Sequence, residues 1–291
     1  MHHARHALLI LLSALAIAWA TPSTAQVVVV RITTPPPPLP VYVQPVIPGP
    51  DYFWAPGYWC WGPDGYYWVP GTWVLAPAPG LLWTPGYWAW RENIYVWHAG
   101  YWGPRVGFYG GVNYGFGYPG VGFHGGYWNG GVFAYNRAVT NIGTVNITNV
   151  YTKTVVHNTT VTNVSFNGGS GGTSAKPNAE ELAAAKDKHE PATGLQSHHE
   201  HSASGNHALL ASVNGGKPGV AATAAAGHFA GHGIVGSRGA LKSGDAAKLG
   251  PRHPGEFKGA KMAGAPGPRP PPHAFKRPPH ERGPGKHPNQ P

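Results

Sequence analysis

The chain has 291 residues, of which 43 are Gly and 32 Pro, only 11% are charged, and the formal net charge is +10. So much Gly and Pro with so little charge excludes one large conventional core and points to a folded region flanked by low-complexity segments. A single cysteine, Cys60, excludes an intrachain disulfide, and the aromatic region offers only Asp51, Asp64 and Glu92 for acid–base chemistry.

Residues 1–25 read as a secretory signal. Arg5 and three histidines precede an apolar stretch, Ala7 to Ala20, that is too short to span a bilayer. Ser23-Thr24-Ala25 sets up cleavage before Gln26. No later stretch is apolar enough to cross a membrane, so no transmembrane segment is expected after cleavage. Residues 26–50 hold the short run Val27 to Val30, a candidate edge strand, and then a Pro-rich stretch expected to be an extended polyproline linker.

Residues 51–103 are a repeat array. Trp54-Ala55-Pro56-Gly57-Tyr58-Trp59 recurs as units beginning at Trp68, Trp83 and Trp97, in steps of 14, 15 and 14. Trp, Tyr, Val and Thr dominate each unit, and turn residues such as Gly62-Pro63-Asp64-Gly65 and Arg91-Glu92-Asn93 separate them. The expected fold class is mainly β: a small antiparallel β-meander of Trp-rich repeats. Proline and glycine inside a strand disturb its ladder, so a bulge or kink is expected in each repeat. Trp54, Trp59 and Trp61 would then share a face, as would Trp83, Trp88 and Trp90.

Residues 104–131 alternate Gly with aromatics, either as a coil laid against the sheet or as a flexible segment. Residues 132–166 interleave Val and Ile with Asn and Thr and suggest short strands. Residues 167–212 begin with the linker Asn167 to Gly172 and include a short helix near 178–190, with Glu180 and Glu181 in its first turn. Residues 213–291 hold twelve Lys and Arg against Asp245, Glu256 and Glu281, a net of +9, and read as a basic disordered tail.

Ten tryptophans are the candidate binding residues: Trp54, Trp59, Trp61, Trp68, Trp73, Trp83, Trp88, Trp90, Trp97 and Trp102. Exposed aromatic rings are platforms for sugars and cations; the same rings packed inward would be the core of a thin sheet. His198, His199 and His201, with Glu200, form a candidate metal cluster because imidazole and carboxylate bind Zn, Ni or Cu. No nucleophile, metalloprotease or phosphate-loop motif is present, so no catalytic residue, enzyme activity or cofactor is expected. The dispersed positive charge suits an envelope polysaccharide or another polyanion, without specific nucleic-acid recognition. Strand-forming, weakly charged segments also leave self-association open.

The Trp-x-Pro-Gly-x-Trp units, with Tyr58-Trp59-Cys60-Trp61-Gly62-Pro63 and Tyr87-Trp88-Ala89-Trp90, resemble the YXWGXW (WXXGXW) repeat family of bacterial exported proteins. The resemblance covers roughly residues 50–103. Two units depart from the pattern, with Arg91 after Trp90 and Ala99 in place of Pro. It implies a secretory signal and a cell-envelope setting, periplasm or cell surface. It implies no activity and assigns no functional residue.

Overall fold

The computed structural model describes residues 32–154 and 163–240. The signal-type leader, the Val27 to Val30 run, residues 155–162 of the Asn/Thr/Val segment and the charged stretch from 241 onward lie outside the described residues. The fold is mainly β, with 29% strand against 12% helix, in small antiparallel sheets.

The repeat array forms two bent hairpins. In the first, β1 (Tyr52–Ala55) and β2 (Tyr58–Gly62) make one arm, and β3 (Gly65–Val69) and β4 (Gly71–Leu75) make the other. The second is built the same way from β5 (Leu82–Thr84) and β6 (Tyr87–Arg91), then β7 (Ile94–His98) and β8 (Tyr101–Gly103). β1 pairs with β4 and β2 with β3; β5 pairs with β8 and β6 with β7. β4 and β5 share no ladder, so the four long strands are two hairpins and not one continuous sheet.

Each arm kinks at its Pro-Gly or Ala-Gly step, and the kinks of the two arms lie opposite each other. Ala55 faces Thr72 and Tyr58 faces Val69, so both arms spend two residues on the break and the register passes through it. Thr84 facing Tyr101 and Tyr87 facing His98 repeat the arrangement. A one-sided bulge would shift the register; these matched kinks bend the ladder without doing so. The second hairpin closes on Glu92 and Asn93, both with positive φ, the backbone of a two-residue primed turn.

Other segments cover the hairpin edges, which explains why the hairpins do not join each other. The next hairpin, β9 (Gly126–Asn129) and β10 (Val132–Asn136), is flanked by β11 (Val150–Tyr151), parallel to β10. β12 (Phe166–Asn167) lies parallel on β6. Ile32 bridges to Tyr95, Leu210 to Tyr67 and Glu190 to Trp102. β13 (Ala222–Thr223) runs parallel to β4 at Gly71 and Thr72 and pairs in turn with β14 (Ile234–Val235). Residues 213–240, read in the sequence as the start of a disordered tail, are therefore part of the sheet system. Small residues lie at the junction: Ala221 and Ala222 are fully buried, and Ala222 pairs with Gly71.

The Pro-rich stretch is extended and makes no strand ladder, yet it is not a free spacer. Polyproline backbone has no internal hydrogen bonds, so its carbonyls are available as acceptors. Pro38 O accepts the indole N–H of Trp59 and Pro45 O that of Trp73, each at 3.1 Å. The Gly/aromatic segment is the coil laid against the hairpins. Tyr114 donates to Gly86 O at 2.6 Å and Tyr118 to Trp83 O at 2.8 Å.

The expected short helix is α1 (Ala179–Ala184), capped by Asn178 and Glu181 in a reciprocal capping box. A second helix, α2 (Gly194–Ser204), is also boxed, by Thr193 and Gln196. Among the described residues, no helix is long and apolar enough to cross a membrane.

Candidate functional site

The repeat tryptophans meet in register. Trp54 pairs across the ladder with Trp73, Trp59 with Trp68, Trp83 with Trp102 and Trp88 with Trp97. Ring centroids in these pairs are 5.1, 5.1, 5.3 and 5.3 Å apart and the planes are steeply tilted, the geometry that aromatic quadrupoles favour. The four pairs stand two above and two below the kinks. The absent side chains of the glycines make room for them: Trp68 lies over Gly57, Trp54 over Gly71, Trp97 over Gly86 and Trp83 over Gly100.

Trp54, Trp59, Trp68, Trp73, Trp83, Trp88 and Trp102 are buried, while Trp61, Trp90 and Trp97 are half-buried. Five of the seven buried rings also spend their indole N–H inside the chain, while Trp54 Nε1 is buried without a partner. Trp68 donates to Ala221 O at 2.9 Å, Trp102 to Gln196 Oε1 at 2.9 Å, and Trp88 to Trp59 O at 2.8 Å. The last bond ties the second hairpin to the first, as do the stacking of Tyr58 on Trp97 and the edge contact of Phe53 with Trp102. Buried indole with its N–H satisfied is the arrangement of a core.

Between the hairpins, at the level of the kinks, is a cavity of about 90 Å³ lined by Pro56, Pro70, Pro85 and Ala99 and closed by α2. Glu200 of α2 accepts the Tyr58 hydroxyl at 2.6 Å, and the Cys60 thiol approaches its other oxygen at 3.7 Å. Burial first, and then Glu200, push the Cys60 thiol up to about 12 and hold the Tyr58 phenol well above its ordinary value. Cys60 is accordingly a protonated, packed thiol and not a nucleophile.

The three histidines of the candidate metal cluster do not act together. His199 is buried, its Nδ1 accepts from the Gly227 N–H at 2.8 Å, and its Nε2–H donates to Pro70 O at 2.8 Å. Both ring nitrogens are thus spent on backbone, which leaves no lone pair for a metal. His198 and His201 are both exposed. Among the described residues, no group of three or more His, Cys, Asp or Glu is placed to hold a metal ion.

The sequence motif therefore hid a structural histidine. Burial lowers the His199 value from 6.5 to about 4. The unfolded ring takes a proton as pH falls below 6.5, while the folded ring resists until about 4. Protons then bind the unfolded chain first. Stability is fully present above pH 6.5 and is lost through the window down to about 4, by about 3 kcal/mol. Melting curves from pH 7.5 to 4 should show this slope in the parent chain and a shallower one in His199→Gln; equal slopes would remove His199 as the source.

Matched kinks, paired tryptophans and covered edges define a Trp-rich β-hairpin repeat protein. The model of the WXXGXW repeat family matches twice, at residues 49–74 and 79–102, and each match spans one of the two hairpins. The chain carries two copies of the WXXGXW repeat. Each copy is a complete hairpin with one Trp-x-x-Gly-x-Trp unit in each arm. No curated protein and no solved structure shows a significant match.

Proposed function

We propose that this chain is an exported, non-enzymatic protein of a bacterial cell envelope, in which the tryptophan repeats are scaffold and the basic C-terminal residues hold envelope polyanions. The burial of seven of the ten repeat tryptophans carries this reading. The seven buried rings, packed in pairs across the ladders, have no face left for a sugar, so adhesion is assigned elsewhere in the chain. Residues 241–291 contain ten Lys and Arg against three acids, a density that attracts anionic polymers without specific geometry. The export signal read at residues 1–25 supports an envelope location. Edge-to-edge self-association is less favoured, because β12, β13 and the bridges of Ile32, Leu210 and Glu190 occupy hairpin edges.

The test is a pull-down of residues 26–291 on insoluble peptidoglycan and on a sulfated polysaccharide whose sugars carry no carboxylate, at low salt and at about 0.5 M, where surface charge is heavily screened. Retention at low salt and release at high salt is expected, as is loss of retention when the ten basic residues of 241–291 become Gln. Unchanged retention by that neutralised chain would move adhesion to the folded residues and defeat the assignment.

A further inference from the structure

Beside Tyr42 runs an open groove of about 530 Å³, within the range of small-ligand sites. Tyr42, Phe116, Gln44, Arg137 and Thr140 line it. We infer that this groove binds a carboxylate-bearing sugar, the aromatic pair taking the ring and Arg137 the acid group.

Four observations converge on it. The Tyr42 and Phe116 rings lie 5.4 Å apart at 36° and form an apolar wall on which the flat face of a pyranose can rest. The Arg137 side chain is exposed and, among the described residues, has neither an ion-pair nor a hydrogen-bond partner. No acidic residue lines the groove, so nothing neutralises that guanidinium, and a planar carboxylate matches its fork. Gln44 is 4% exposed; its Oε1 accepts the Asn141 N–H at 2.7 Å and its Nε2 has no partner. A buried amide donor left unpaired is costly, and Gln44 is the lining residue of the groove that carries one.

Phe116 supplies an independent sign. Its φ of 48° places a bulky residue in the left-handed region, a strained conformation that surrounding structure must enforce. The strain holds the ring against Tyr42 and Trp54 at the groove wall. The inference rests on the envelope reading only for its choice of a glycan; the groove acts independently of the basic C-terminal residues.

The experiment therefore uses residues 26–291 with the ten basic residues of 241–291 changed to Gln, so that the groove alone is measured. The probe is tetragalacturonate, titrated calorimetrically, with its methyl ester as the uncharged counterpart. The acid should bind, and the ester about tenfold or more weaker, as loss of a charge-assisted bond implies. Arg137→Gln should weaken the acid to the level of the ester. Phe116→Gly removes the ring yet suits the positive φ, and should weaken acid and ester alike. Melting temperatures confirm that each variant folds. Equal binding of acid and ester, parent-like binding by Arg137→Gln, or no binding by the neutralised chain would overturn the inference. So would competition by inorganic phosphate as effective as by the sugar. Loss of polysaccharide retention in the earlier pull-down bears on the basic residues alone.

Discussion

Trp68→Ala is expected to lower stability by about 4 kcal/mol, the upper range for removing a large buried aromatic, and to lower the melting temperature by roughly 10 °C. Trp68 is 0% exposed, packs on Trp59 at 5.1 Å and covers Gly57. Its removal opens a cavity where the two arms meet and leaves Ala221 O without its indole donor. Because Ala221 leads into β13, the loss should spread to the strand that covers the edge of β4. Trp61 is the contrast: it is half-buried and contacts Tyr66 at the hairpin's outer end, so Trp61→Ala should cost about 1 kcal/mol. Denaturant unfolding of the two variants checks this. Similar losses at both positions would contradict a core role specific to the paired rings.

The two positions look alike in the sequence, and that marks what could be read from it. The period, the β character, the turns and the kinks follow from local chemistry, because Trp, Pro and Gly act on the backbone where they stand. The start of α1 was equally legible, from Glu180 and Glu181 in its first turn. The helix that carries His199 was not: α2 has no apolar stripe, and its one signal was the spacing of Thr193 and Gln196. Nor was the fate of the hairpin edges legible. Whether β4 pairs with β5 or with residues 150 positions away depends on segments with almost no hydrophobic pattern. Ala222 is fully buried where it pairs with Gly71, and small size is a weak sequence signal. The histidine cluster misled for a related reason. A run of ligand-type residues says nothing of direction, and the helix points His199 inward to backbone atoms while His201 faces solvent. The groove beside Gln44 was invisible because it joins residues from three separate stretches, 42–44, 116 and 137–143.

Gly57→Ala and Gly86→Ala are expected to destabilise the chain by about 3 kcal/mol each, as overpacking of a tight core does. Neither glycine has positive φ, so the requirement is one of space. A Cβ on Gly57 would run into the Trp68 ring, and would also sit 2.7 Å from Gly71 N and 2.8 Å from Val69 O. On Gly86 it would meet the Trp97 ring at 2.5 Å and Gly100 N at 2.8 Å. Gly49→Ala, with nothing within 4 Å, is the neutral control. Combining Gly57→Ala with Trp68→Ala separates ring from backbone. Removing the indole relieves one of the three clashes, so the pair should cost about 1 kcal/mol less than the sum of the singles. Strict additivity would mean that ring and glycine do not share the site. The sub-additive result would explain the spacing of the motif: the first tryptophan of each unit reaches across the ladder to roof the glycine of the opposite unit. Trp and Gly are then one structural device divided between two arms, and a lone Trp-x-x-Gly-x-Trp unit has no glycine to roof.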